Sequence, residues 1–479
     1  MPSLGVAFAV SAAGIATGLM LTAGIARLGP IGAIVPAVAA LGLVLLRFPA
    51  ASLVLLLAGV VLVESETQGL LPPVGSFYDP IAAKLTPQDL LLATGLAGVV
   101  LRFASESVRP RWPEPLTAPL ALLGLAVAAG AVTGYTADAG VSSGELFHRG
   151  LTALYVVFVP LLAVNALRDT RSLRICAAIV AGLAAFKALS GVYAALGGVG
   201  ASVEEETVSY LSPVPNLVML IFVLGVAAAL VRRVKLPGWM LAAAPLAMLA
   251  LLLSYRRSFW IAAAFTLIVV IIVASRNRGK AVLAIGAVSL ALALLGATTI
   301  GASDEPSTSP IVERAQTLSP GGIGTNRGDR YRIDERRNVI QNLREHPLTG
   351  IGLGVPWDVH YPLAESHDRR YAHVEVLWLW LAFGPLGAIA YLALLGAALW
   401  TAVGVWRRHP DPLIQVGAIA CFGGILGLGV VELTASFIAV EPRTSIFVGA
   451  LLGWLAAAWR DAPQPEEAAE PALPPRLPA

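Results

Sequence analysis

The sequence predicts an all-α polytopic membrane protein with about 12–14 transmembrane helices and one large extracytoplasmic loop containing short helices. Three observations lead there. Hydrophobic residues make up 57% of the chain and charged residues only 13%, against about a quarter charged in soluble domains. The mean hydropathy is +0.76. Apolar runs of roughly the 20 residues needed to cross a bilayer recur along the chain, and their Leu- and Ala-rich content suits helices rather than the short alternating strands of a barrel.

In order, these runs lie near 5–25, 31–46, 50–63, 88–103, 116–134, 150–166, 175–198, 214–231, 239–254, 258–274, 281–299, 373–400, 412–435 and 444–459. The first lacks a basic n-region between Met1 and Gly5, so it is read as a retained helix rather than a signal peptide. Membrane helices then fill 1–300 and 373–460, with the large loop at 301–372 between them. Residues 301–310 are a polar lead into the loop, and the Pro/Ala/Glu-rich stretch 461–479 is expected to be a disordered cytoplasmic tail. Cys176 and Cys421 fall inside apolar runs as small core residues, with neither disulfide nor zinc spacing.

Orientation follows from Lys and Arg placement. Alternate loops hold Arg47; Arg102, Arg109 and Arg111; Arg168, Arg171 and Arg174; Arg232, Arg233 and Lys235; Arg276, Arg278 and Lys280; Arg407 and Arg408; and Arg460. The positive-inside rule makes those loops cytoplasmic and turns 301–372 outward. That loop nevertheless carries nine arginines and no lysine, against ten acidic residues. With charges so nearly balanced it is no polybasic lipid patch, and its arginines are read as individually placed.

Three outer stretches could carry chemistry. In DRYRIDERRNVIQNLREHPLTGIG, a helix from Arg330 to Glu345 is expected to stop at His346-Pro347. Ile333, Val339, Ile340 and Leu343 share one stripe that also contains Arg332 and Arg336, with Arg337 and Arg344 at its flank. The two stripe arginines either snorkel and pair with Asp329, Asp334 or Glu335, or point into a site. In SYRRS, Arg256 and Arg257 sit between two apolar runs, either as interfacial anchors or as a guanidinium grip on phosphate. In HVEVLWLWLAFGPLG, His373 and Glu375 open a long apolar helix, and His373 can serve as a base near neutral pH. His346, His360 and His367 have no distinguishing spacing and are read as surface groups.

Order and spacing add what the single stretches lack. The run from Arg332 through Pro347, Gly350 and Gly352 to His373, Gly384 and Gly387 resembles the signature of the O-antigen ligase and O-antigen polymerase superfamily. Arg257 in SYRRS resembles the arginine of that family's Ser-Arg-Gly/Ser element, with Arg256 beside it as the alternative match, and Asn216 in SPVPN resembles a Pro-Asn before a span. The family's His-Asn is His373-Val374 here, so no amide role carries over.

The resemblance implies a multi-pass protein of the bacterial cytoplasmic (inner) membrane with its active site on the extracytoplasmic face. The donor would be a glycan on polyprenyl (undecaprenyl) diphosphate, and the acceptor a hydroxyl on a glycan, lipid or protein. Besides the bilayer no other partner is expected, and no nucleic acid. His373, Arg332 and Arg257 would be the catalytic groups. Arg256, Arg336, Arg330, Asn216 and Glu375 would bind substrate. No cofactor is expected and no metal, since no acidic cluster of metal-ligand character lies between these positions. Two other readings stand beside the ligase: a polymerase of lipid-linked repeat units, and a transporter, for which Lys187 inside 175–198 is the clear mid-membrane candidate.

Overall fold

The computed structural model describes residues 34–64, 70–71, 74, 77–79, 85–106, 109–137, 141–196, 213–254, 256–275, 327–364 and 367–463. The expected spans 5–25 and 281–299, the lead 301–310 and the tail from 464 lie outside the described residues.

Thirteen helices are described: α1 (Ile34–Arg47), α2 (Pro49–Leu62), α3 (Pro87–Glu106), α4 (Thr117–Thr136), α5 (Ser143–Ala166), α6 (Thr170–Leu196), α7 (Val214–Arg232), α8 (Gly238–Leu253), α9 (Arg257–Ala274), α10 (Arg327–Glu345), α11 (Glu375–Arg408), α12 (Pro412–Val431) and α13 (Pro442–Asp461). Eight of them, α3 to α7, α9, α11 and α12, are long and apolar enough to cross a bilayer. The protein is thus a polytopic all-α membrane protein.

Two expectations change. The runs 31–46 and 50–63 become α1 and α2, bent by 114° to one another. Pro49 disfavours helical geometry at Phe48, which sits at φ −126° and ψ 78°. Each helix has 14 residues and is about 21 Å long, too short to cross alone, so the pair is one broken span or a re-entrant turn. The large loop, expected to hold short helices, is built among its described residues around α10, a single helix of 19 residues.

The bundle packs through small residues, which let backbones approach where no hydrophobic effect drives association. Helix α13 lies on α5, where a Cβ on Gly453 would come within 2.4 Å of Ala163 and one on Gly449 within 2.9 Å of the Tyr155 carbonyl. Helix α11 lies against α4 and α12, and α12 also packs on α7 and α9.

One backbone lock ties the large loop to this bundle. Pro385 has no N–H, so the carbonyl four residues earlier, at Leu381, loses its helical partner. It accepts instead from Ile351 N–H at 2.8 Å, while Trp380 Nε1–H donates to the Pro347 carbonyl at 2.9 Å. Both sides of the lock need glycine. Gly350 has φ +64° and Gly384 φ +70°, and a Cβ on Gly350 would lie 2.3 Å from the Leu381 oxygen. Leu353 N–H then reaches the Gly130 carbonyl of α4 at 2.9 Å. The Pro-x-x-Gly-x-Gly turn and the Gly-Pro of α11 are therefore two halves of one joint.

Gly350→Ala should lower the midpoint of thermal unfolding in detergent, since a left-handed alanine costs about 1–3 kcal/mol before the clash is added. Gly396→Ala, in α11 with nothing within 4 Å of its Cβ, should leave the midpoint unchanged or raise it. Equal midpoints for the two variants would contradict the lock.

Candidate functional site

Helix α10 begins with Asp329 in its first turn and ends with Arg344 in its last, each placed favourably against the helix dipole. Its buried face is Tyr331, Glu335, Asn338, Val339, Asn342 and Leu343. This corrects the expected stripe, because Ile333 is exposed and so are Arg332 and Arg336. The reason is what the helix covers. It packs partly on a returning loop, whose backbone must be hydrogen-bonded when buried. Asn338 accepts from His360 and Tyr361 N–H at 2.6 and 2.7 Å and donates to the Tyr361 carbonyl at 3.0 Å. Asn342 exchanges bonds of 2.8 and 2.9 Å with the Asp358 backbone. A polar buried face leaves no trace in hydrophobic periodicity.

Arg332 shares its angular position with Val339 and Leu343. Those two are buried, but Arg332 lies two turns nearer the helix start and is exposed. Among the described residues, Arg332 and Arg336 make no hydrogen bond or ion pair. Arg330 is exposed too, and Arg337 stands 3.9 Å from Asp334.

Two contacts fix α10 over the membrane helices. Arg257, the first residue of α9, pairs with Asp329 at 2.7 Å with both side chains mostly covered. Arg256 is the N-cap residue just before it. Glu335 grips His373 at two points: Oε2 accepts from the His373 backbone N–H at 2.9 Å, and both oxygens lie 3.0 Å from Nδ1. A carboxylate only accepts, so Nδ1 carries the hydrogen and neutral His373 leaves Nε2 without one. The Tyr331 hydroxyl donates to Glu335 at 3.3 Å. Tyr331 also packs edge-on to His367 at 4.3 Å and to His373 at 5.8 Å between centroids.

Asp329, Arg332 and Glu335 are spaced by three, so they are neighbours on the helix surface over about 9 Å of rise. An arginine with no partner among the described residues thus stands between the residue that holds Arg257 and the residue that holds His373.

The structure does not bring two expected residues to this surface. Glu375 is wholly buried, and its carboxylate accepts from Phe437 and Ile438 N–H at 2.6 and 3.3 Å. It clasps the 435–441 segment beneath His373 and is not placed to touch substrate. Asn216 is fully buried at the start of α7, and neither amide atom is hydrogen-bonded among the described residues. Conversely, Glu335 and His367 join the site unannounced. Glu335 looked like one more charge in a charged helix, and His367 like a surface group.

The transporter's candidate is also accounted for. Lys187 is buried and bonded to Glu64, which accepts from Arg443 as well at 2.7 Å.

Residues 240–392 match the family model described as O-antigen ligase. The match includes Arg256, Arg257, all of α10, the glycine lock and His373, and it excludes Asn216. No curated protein matches the chain significantly. The segment that builds this site is thus similar to the O-antigen ligase family.

Proposed function

We propose that this protein is a membrane glycosyltransferase that moves a glycan from a polyprenyl-diphosphate carrier to a hydroxyl acceptor on the outer membrane face, in the manner of an O-antigen ligase. The observation that supports the reading is α10 itself: Asp329 holds Arg257, Glu335 holds His373, and Arg332, without a partner among the described residues, lies between them along the helix.

The chemistry of the donor suits these groups. A sugar diphosphate concentrates negative charge beside an apolar tail, and guanidinium groups near low-dielectric surroundings bind it strongly. Arg332, with Arg336 one turn on, would hold the diphosphate, and Arg257 would add a second cation while anchoring α10 through Asp329. His373 Nε2 would take the proton of the acceptor hydroxyl as its oxygen bonds to the anomeric carbon. The bond from that carbon to the phosphate oxygen breaks, and its electron pair leaves with the diphosphate, where the arginines stabilise it. Glu335 would steady the charge that forms on His373.

Arg332→Ala and His373→Ala should each lower transfer from lipid-linked donor in membranes about a hundredfold or more, with normal insertion. Near wild-type turnover in either variant would sink the assignment. Arg257→Ala should be more damaging than Asp329→Ala, because only the arginine touches the donor. Equal losses would reduce Arg257 to an anchor. Since arginines supply the positive charge in this scheme, transfer should persist after chelation with EDTA, and activity restored only by a divalent cation would contradict it. In a deletion strain, long glycans should accumulate on the carrier, whereas accumulation of single repeat units would favour the polymerase reading.

A further inference from the structure

At the end of the bundle away from His373, a cavity of about 360 Å³ opens among α6, α7, α8, α12 and α13. Helix α11 leaves the site at Glu375 and ends at Arg408, and α12 returns from Pro412. The cavity takes Val416 and Ala420 from the first half of α12. Its walls are carbon and sulfur, with Phe222 and Trp454 as the large faces and both cysteines of the chain, Cys176 and Cys421, among the lining groups.

Among the described residues two charged groups line it, Arg174 and Lys235, and both are exposed. Arg174 is paired with Asp411. Lys235 makes no ion pair or hydrogen bond among the described residues, so its charge is uncompensated there. Just before it, Arg232 bonds to Gln415 at 2.8 Å, and Arg233 adopts a left-handed turn and is exposed. The combination is an apolar slot under a net positive mouth, at the end that the positive-inside rule assigns to the cytoplasm.

We propose that this cavity holds an acyl chain of an anionic glycerophospholipid, with the headgroup phosphate at Lys235 and Arg174. Basic pockets between membrane helices at the cytoplasmic face suit anionic headgroups. A soluble anion would have no use for the slot, and a zwitterionic lipid would leave the cationic mouth unbalanced. The charged mouth is separate from the glycan donor's site, because it lies beside Leu413 at the start of α12, whose 20 residues span about 30 Å. It therefore does not depend on the proposed reaction.

The test uses the full chain in detergent, titrated with dioleoyl phosphatidylglycerol, dioleoyl phosphatidylcholine or decaprenyl phosphate. Native mass spectrometry reads the retained lipid, and N-ethylmaleimide labelling reads access to Cys176 and Cys421. Phosphatidylglycerol should be retained in preference to the other two and should slow labelling. Lys235→Gln should cut its retention about fivefold while leaving that of phosphatidylcholine unchanged, as expected for one lysine at an anionic lipid. Ala177→Trp, which fills the slot, should abolish the protection. Lys235 is exposed, so the first variant tests the idea even where the second fails to fold. Equal retention of phosphatidylglycerol and phosphatidylcholine, indifference to Lys235→Gln, or preferential capture of decaprenyl phosphate would overturn it.

Discussion

The grip of Glu335 on His373 is the contact on which the loop-bearing half of the molecule turns. It joins α10 to the first turn of α11 at both backbone and ring, and it is nearly closed to solvent, with the carboxylate side chain 3% exposed. Burying a carboxylate is costly unless it is bonded, so a Glu335 that lost His373 would leave an unsatisfied charge behind. The same contact selects the tautomer of the imidazole. Position and chemistry of the histidine are thus set by one side chain.

The rest of the loop layer protects that contact. The Gly350 and Gly384 joint fastens the turn after α10 to α11, and the Asp329 pair with Arg257 fastens its start to α9. Asn338 and Asn342 hold the returning loop beneath it, and Trp357 Nε1–H reaches the Tyr371 carbonyl at 3.0 Å. Below, Glu375 binds the backbone of the 435–441 segment, so the floor under His373 is pinned as well. Rigid supports of this kind hold reacting groups within reach of one another, which is how a site gains from proximity. Against so many satisfied groups, Arg332 and Arg336, without a hydrogen bond or ion pair among the described residues, stand out.

The bundle was legible from the sequence because apolar length is a direct statement about a bilayer. The bend between α1 and α2 was less so, although Pro49 marks it, because composition alone does not separate two short spans from one broken one. Order and spacing are enough to single out Arg332 and His373 as candidates. Glu335 could not be found this way, since its partner lies 38 residues away and an acid beside Arg336 and Arg337 reads as an ordinary surface charge. Glu375 misled for the opposite reason: polarity next to a candidate base suggested substrate contact, while the fold needed it as a backbone clasp. Asn216 reflects the same limit, as sequence shows a polar residue before a span but not that the bundle encloses it.

The central claim is spatial: Arg332 and the Nε2 face of His373 border one pocket that takes a sugar diphosphate. An electron cryomicroscopy structure of the full chain with a non-hydrolysable polyprenyl-diphosphate sugar tests it most directly. The account predicts phosphate oxygens within hydrogen-bond distance of Arg332 and the anomeric carbon facing His373 Nε2. Phosphates seated elsewhere in the bundle, with α10 bare, would contradict it.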